Sequence, residues 1–142
     1  MYVDAQDNYG IAQAVTTTAL STNIIDHVGY GDDYNQPWLQ ISVPTAFAGG
    51  TSLAINLITD YTSAFNGAPV TIPLVPATPV ANLTAGAVLY KAQYPQGMHE
   101  FRQLQYVVVG TMTAGTISAV DLIDVQTNRD KLGYSSGAGI NQ

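Results

Sequence analysis

Two histidines, ten carboxylates and no cysteine are the raw material for chemistry in this chain. The lack of cysteine removes disulfides, thiolate nucleophiles and soft metal sites together. His27 and His99 lie far apart in sequence. His99-Glu100 lacks the second histidine that a zinc-binding helix would aim at the same metal, and it opens a predicted strand. Asp32-Asp33 with Asp26 could offer oxygens to calcium, but the spacing is not that of a calcium loop, and adjacent acids on a solvated turn are common. Asp121 and Asp124 fall on opposite faces of one strand by parity, so they cannot converge by themselves as a glycosidase pair. Serine and threonine are plentiful, yet no Gly-x-Ser-x-Gly elbow accompanies them, and Thr16-Thr17-Thr18 reads as a polar strand face. Asn82-Leu83-Thr84 matches a glycosylation triplet, but the acidic start from Met1 to Asp7 does not read as a secretory signal. The expectation is a protein without catalytic, cofactor or metal site. The nine tyrosines are a different signal, because tyrosine combines apolar area with one hydrogen bond and is enriched at interfaces and sugar sites.

The elements that would position these side chains read as strands. Apolar segments are short, rich in Val, Ile, Leu, Thr and Tyr, and punctuated by Gly and Pro rather than helix caps. Weak alternation runs from Ile11 to Thr18, a short strand covers Asn23 to His27, and Gly29 to Asn35 is a polar loop. Pro37 to Pro44 sets Leu39, Ile41 and Val43 against Gln40 and Ser42, the period of a half-buried antiparallel strand. Gly49-Gly50 makes a turn, and Thr51 to Thr59, with Leu53, Ile55 and Leu57 inward, is expected to pair with the strand before it. Asp60 to Gly67 is a loop in which Tyr61 and Phe65 could cover the core edge. Pro69, Pro73, Pro76 and Pro79 confine the next stretch to edge strands or extended crossings, since proline cannot donate to a ladder. Ala87 to Tyr94, Glu100 to Val109 and Thr116 to Val125 supply longer strands, with turns at Pro95-Gln96-Gly97 and from Gly110 to Gly115. Turns this frequent, with long crossings, predict an all-β jelly-roll sandwich.

With 142 residues the chain suits one core. The expected organisation is an extended N-terminal arm over 1–10, a jelly-roll domain over 11–127, and a flexible, glycine-rich C-terminal tail over 128–142. Hydrophobic residues make up 46% and charged residues only 10% of the chain, against about a quarter charged in average proteins. Thr, Ser, Asn, Gln and Gly must therefore cover much of the surface, and such groups lose less hydration than ions when a partner covers them. Four cations within a net charge of −6 cannot neutralise a run of phosphates, so nucleic acid is not an expected partner. No apolar run of about 18 residues predicts a membrane span.

The Asp4 to Asp26 segment, with its Asp-Ala-Gln opening, its Ala-Gln-Ala-Val-Thr strand and Ser21-Thr22-Asn23-Ile24-Ile25-Asp26, resembles the start of the capsid cement proteins of Bordetella podophage-type heads. The loop from Thr59 to Phe65, the linker from Ile72-Pro73 to Leu83-Thr84-Ala85-Gly86, and the strands Leu104 to Thr116 and Leu122 to Gln126 are similar as well. The extension beyond Asn128 departs from that pattern. The resemblance implies a jelly roll that binds outside an HK97-like shell of major capsid protein and ties neighbouring capsomers together. It also implies a homo-oligomer, with a dimer favoured and a trimer possible, because shell symmetry favours symmetric units. Expected capsid contacts are Tyr2, Asp4, Tyr9 and Ile11 in the arm and Arg129, Lys131 and Tyr134 in the tail, aromatic, aliphatic and charged residues outside the sandwich pattern. The alternative is a carbohydrate-binding or receptor-binding module of a virion, for which Trp38 and the tyrosines are the candidates.

Overall fold

Among the described residues, nine strands form where β-branched and aromatic residues alternate with polar ones. They are β1 (Tyr2–Ala14), β2 (Ala19–Leu20), β3 (Ile25–Asp26), β4 (Trp38–Gly49), β5 (Ser52–Asp60), β6 (Val70–Pro79), β7 (Val88–Gln93), β8 (Phe101–Val109) and β9 (Met112–Asp124). The structure is a computed structural model that describes residues 2–26 and 38–124, and the side chains of 8–26 and 38–122. One sheet has the order β1-β9-β4-β7 and the other β2-β8-β5-β6, with β3 also on β8. All pairings are antiparallel. Apart from the β5–β6 neighbours, the chain changes sheet at each connection between main strands, which is the jelly-roll order expected from the sequence.

The inward positions follow the period of two. Leu39, Ile41 and Val43 of β4 face Leu53, Ile55 and Leu57 of β5, and all are fully buried. Leu104 and Tyr106 of β8 and Ile117 and Ala119 of β9 complete the layer. Tyr106 is the exception in chemistry, because its buried hydroxyl has no hydrogen-bond partner. Burial alone pushes its ionisation far above the usual tyrosine value. Gly115 opens β9 to Phe47: a Cβ there would overlap the Phe47 ring, well inside van der Waals contact, and φ is +134°. The ring takes the space a side chain would need, so only glycine fits both the bulge and the contact.

Several boundaries differ from the sequence reading. β4 and β5 do not pair; Gly49-Gly50 carries the chain between sheets, and β5 pairs with β6 and β8. Thr16 to Thr18 is a bend rather than a strand face. There Thr18 Oγ1 accepts from Val108 N at 3.0 Å and donates to Val108 O at 3.3 Å, so the side chain substitutes for ladder bonds. β9 begins at Met112, inside the expected turn, because Gly115 bulges instead of breaking the strand. The proline-rich segment is the edge strand β6, as expected. Of the expected arm, residues 2–10 are extended and form the first part of β1, with Tyr2 opposite Asp124, Val3 opposite Leu122 and Asn8 opposite Val120. The tail 128–142 lies outside the described residues.

Candidate functional site

Because antiparallel strands return to the same level every second crossing, the ends of the sandwich collect residues far apart in sequence. Asp26 ends β3 and Asp60 ends β5, and both lie opposite Phe101 at the start of β8. His99, Glu100 and Arg102 flank that residue. On the other sheet Asp4 and Asp7 sit in the first half of β1, and Asp121 and Asp124 in the last part of β9. Lys91 of β7 lies opposite Gln40, two residues from the start of β4. Every Asp, Glu, Lys, Arg and His among the described residues therefore belongs to one end. The stretches 8–25, 38–59, 61–90 and 103–120, which build the rest of the described body and its far end, contain none.

At the charged end, Asp60 organises its own loop. Its carboxylate accepts from the backbone N–H groups of Tyr61 at 2.7 Å, Gly67 at 2.8 Å and Ala68 at 3.2 Å, and from Thr62 Oγ1 at 3.1 Å. Burial pushes the carboxyl up, but these donors outweigh it and hold the group below its ordinary value of 3.8. Tyr61, beside it, is 66% exposed and lies against the His99 ring, centroids 4.0 Å apart. Thr59 Oγ1 fixes the base of that pair by accepting from His99 N at 2.7 Å while donating to Phe101 O.

Beneath this surface a polar cluster bridges the sheets. Tyr94 donates to Asp121 Oδ1 at 2.5 Å. Its single proton is thereby committed, so in the 2.8 Å contact between hydroxyls it is Tyr9 that donates to Tyr94. The Arg102 guanidinium carbon lies 4.6 Å from the centre of the Tyr94 ring, and Arg102 Nε donates to His99 O. Burial, followed by the neighbouring Tyr9 and the negative Asp121, holds the Tyr94 hydroxyl well above its ordinary ionisation. Tyr9, Tyr94, Arg102 and Asp121 are each buried. The cluster closes the core between the two sheets at this end. Among the described residues, no group of His, Cys, Asp or Glu is arranged to hold a metal ion.

The expected contact residues separate accordingly. Tyr9 is corrected: it is fully buried and its hydroxyl is spent on Tyr94, so it cannot face a partner. Its direction could not be read from local periodicity, because β1 slips register several times against β9. Ile11 is 64% exposed. A register shift between Gly10 and Gln13, with Ala12 left-handed at φ +49°, coincides with this exposure. Tyr2 and Asp4 lie at the charged end by strand position, and Tyr2 sits opposite Asp124, where β9 ends. Arg129, Lys131 and Tyr134 are outside the described residues, as are His27 and Asp32-Asp33. Trp38 is half-buried, opposite Leu122 across the strands. The sequence reading missed the uncharged end. Its signal is the spacing of the charges, which come in groups separated by stretches as long as one strand up and one strand down.

Among protein families, the model of the Bbp16 family matches residues 9–121 of the chain. No curated protein matches it.

Proposed function

The chain belongs to the Bbp16 family, a phage protein family, and from that membership we propose that it is a non-catalytic capsid cement protein. In this role it binds the outside of an HK97-like shell and ties neighbouring capsomers together. The observation that carries the reading is the chemical polarity of a rigid body. A protein that ties two objects needs two separate surfaces, and the two ends of the strands, one charged and one not, would serve as such a pair. β9 has 13 residues, which at about 3.3 Å per residue separates the ends by roughly 40 Å. Linking two contacts in one body makes the second intramolecular, so both must be lost before neighbours part. The start of β1 and the end of β9 adjoin at the charged end, which lets N-terminal and C-terminal segments act on the same neighbour. Partners in this reading are the major capsid protein and a second copy of the chain.

Co-sedimentation with purified heads stripped of the protein tests the role. Saturable binding that raises the temperature at which heads rupture supports it, and absence of binding refutes it. Exposed Tyr61 beside His99 favours one second reading, a carbohydrate-binding or receptor-binding module, because an accessible aromatic ring next to polar groups is what sugar faces stack on. Specific hits on a glycan array that vanish in Tyr61→Ala, without head binding, would select it.

A further inference from the structure

We infer that the uncharged end is the surface seated on the shell, and that it fits a protein surface equally free of charge. The proposal rests on the cement reading above.

This end consists of the β1–β2, β4–β5, β6–β7 and β8–β9 connections. They are bonded to one another through backbone. Met112 N donates to Thr16 O at 2.8 Å, Gly50 N to Thr111 O at 2.8 Å, Thr51 N to Val109 O at 2.8 Å, and Val80 N to Thr51 O at 3.2 Å. Each connection is therefore tied to at least one other, and the end is rigid before any partner arrives. Its exposed side chains are short: Thr17, Ala81, Ala85, Thr113 and Val109 are all exposed. Such residues lose little rotamer freedom on burial, whereas long charged side chains lose the most. A preformed surface with little entropy to lose keeps more of its contact energy as affinity.

Charge decides the occupant. A phosphate-bearing partner finds no cation here, and an ion on a protein partner would be desolvated with no counter-charge to meet it. The chain carries a net charge of −6, so an approach through the other end confronts its carboxylates, while the described residues of this end carry none. A neutral protein surface of hydroxyl, amide and apolar groups is what remains.

Stripped heads and the full chain give the test. Thr113→Glu and Ala85→Glu each place a charge on this end, and Thr71→Glu places one on the exposed flank of β6 as a control. The expected result is a loss of head affinity of about tenfold or more in the first two and little change in the third, since an unpaired buried charge is costly at an interface. Thermal midpoints of all three should match the wild type. The loss in Thr113→Glu and Ala85→Glu should persist at high salt, because it comes from desolvating an unpaired charge rather than from a screened attraction. Wild-type binding that persists unchanged in Thr113→Glu and Ala85→Glu overturns the seating and leaves the cement role standing. No binding by the wild type removes the role itself and the seating with it. Unchanged head binding with an altered oligomeric state of the free variants assigns this end to contacts between copies and likewise overturns the proposal.

Discussion

Tyr94→Phe and Tyr106→Phe delete the same atom from the same core, and the structure gives the two deletions opposite signs. The Tyr94 hydroxyl donates to Asp121 at 2.5 Å and accepts from Tyr9 at 2.8 Å. A hydrogen bond to a charged group contributes about 1.5–3 kcal/mol, and a buried donor left without its acceptor adds to the loss. Tyr94→Phe should therefore destabilise the fold by about 3 kcal/mol. The Tyr106 hydroxyl is buried without a partner, so it costs desolvation and returns no bond. Removing it should stabilise by about 1 kcal/mol, since replacing an unsatisfied polar group by an apolar one relieves that penalty. For a chain of this length each kcal/mol moves the thermal midpoint by roughly 3–4 °C. The variants should thus lie about 10 °C below and about 3 °C above the wild type. Urea unfolding at pH 7 measures both, with unchanged m-values required to show that the folded and unfolded states have not altered in extent. Destabilisation by Tyr106→Phe would refute the reasoning, because it would mean that the hydroxyl is satisfied by an ordered water.

Alkaline pH acts on the same two groups: their folded ionisation is raised above the ordinary 10.0, so fold stability is at its full value below pH 10 and falls as pH rises beyond it. Each should remove about 1.4 kcal/mol per pH unit once the unfolded chain ionises, and urea midpoints at pH 9 and 11 should show a shallower fall in the double phenylalanine variant. Asp60 has the opposite sign, because its folded value lies below 3.8; its contribution is present above that value and fades as pH falls through the folded one. In Asp60→Asn one acceptor oxygen becomes a donor, and amide exchange at Gly67 and Ala68 should accelerate at pH 7 while amides of β4 stay protected. Gly115→Ala drives a methyl into the Phe47 ring at a positive φ, and overpacking with backbone strain should cost about 3 kcal/mol. Relief by a second change, Phe47→Leu, in a double-mutant cycle checks that the clash is the cause.

The fold class was legible because alternation survives tertiary context: Leu39, Ile41 and Val43, and Leu53, Ile55 and Leu57, are inward as their spacing requires. The proline run marked β6 as an edge for an equally local reason. Pairing was less legible. Gly49-Gly50 joins two strands by a short turn, which reads as a hairpin, and nothing local says that the turn changes sheets. Tyr9 was misread for a related reason. Its inward direction is set by irregular register against β9, more than a hundred residues away, and the bulge that turns Ile11 outward cannot be heard in β1 alone. Arg102 illustrates a further blind spot, since a charged residue in a strand reads as surface, yet here it is buried against the Tyr94 ring.

The placement of charge connects these observations to function. A jelly roll of similar-length strands converts position along the chain into position along one axis, so charged groups one strand-pair apart in sequence arrive at the same end. Scattering those residues evenly would have reduced the repulsion among Asp26, Asp60 and Glu100 and left both ends equally wet. Gathering them concentrates like charge, a cost that stability alone gives no reason to accept. Part of that cost is met locally, by the donors around Asp60. The gain appears only when a second surface is considered, because the far end is then free to lose its water without stranding an ion. On the proposed seating, mutations that add one charge to the far end are the changes that function, rather than folding, should reject.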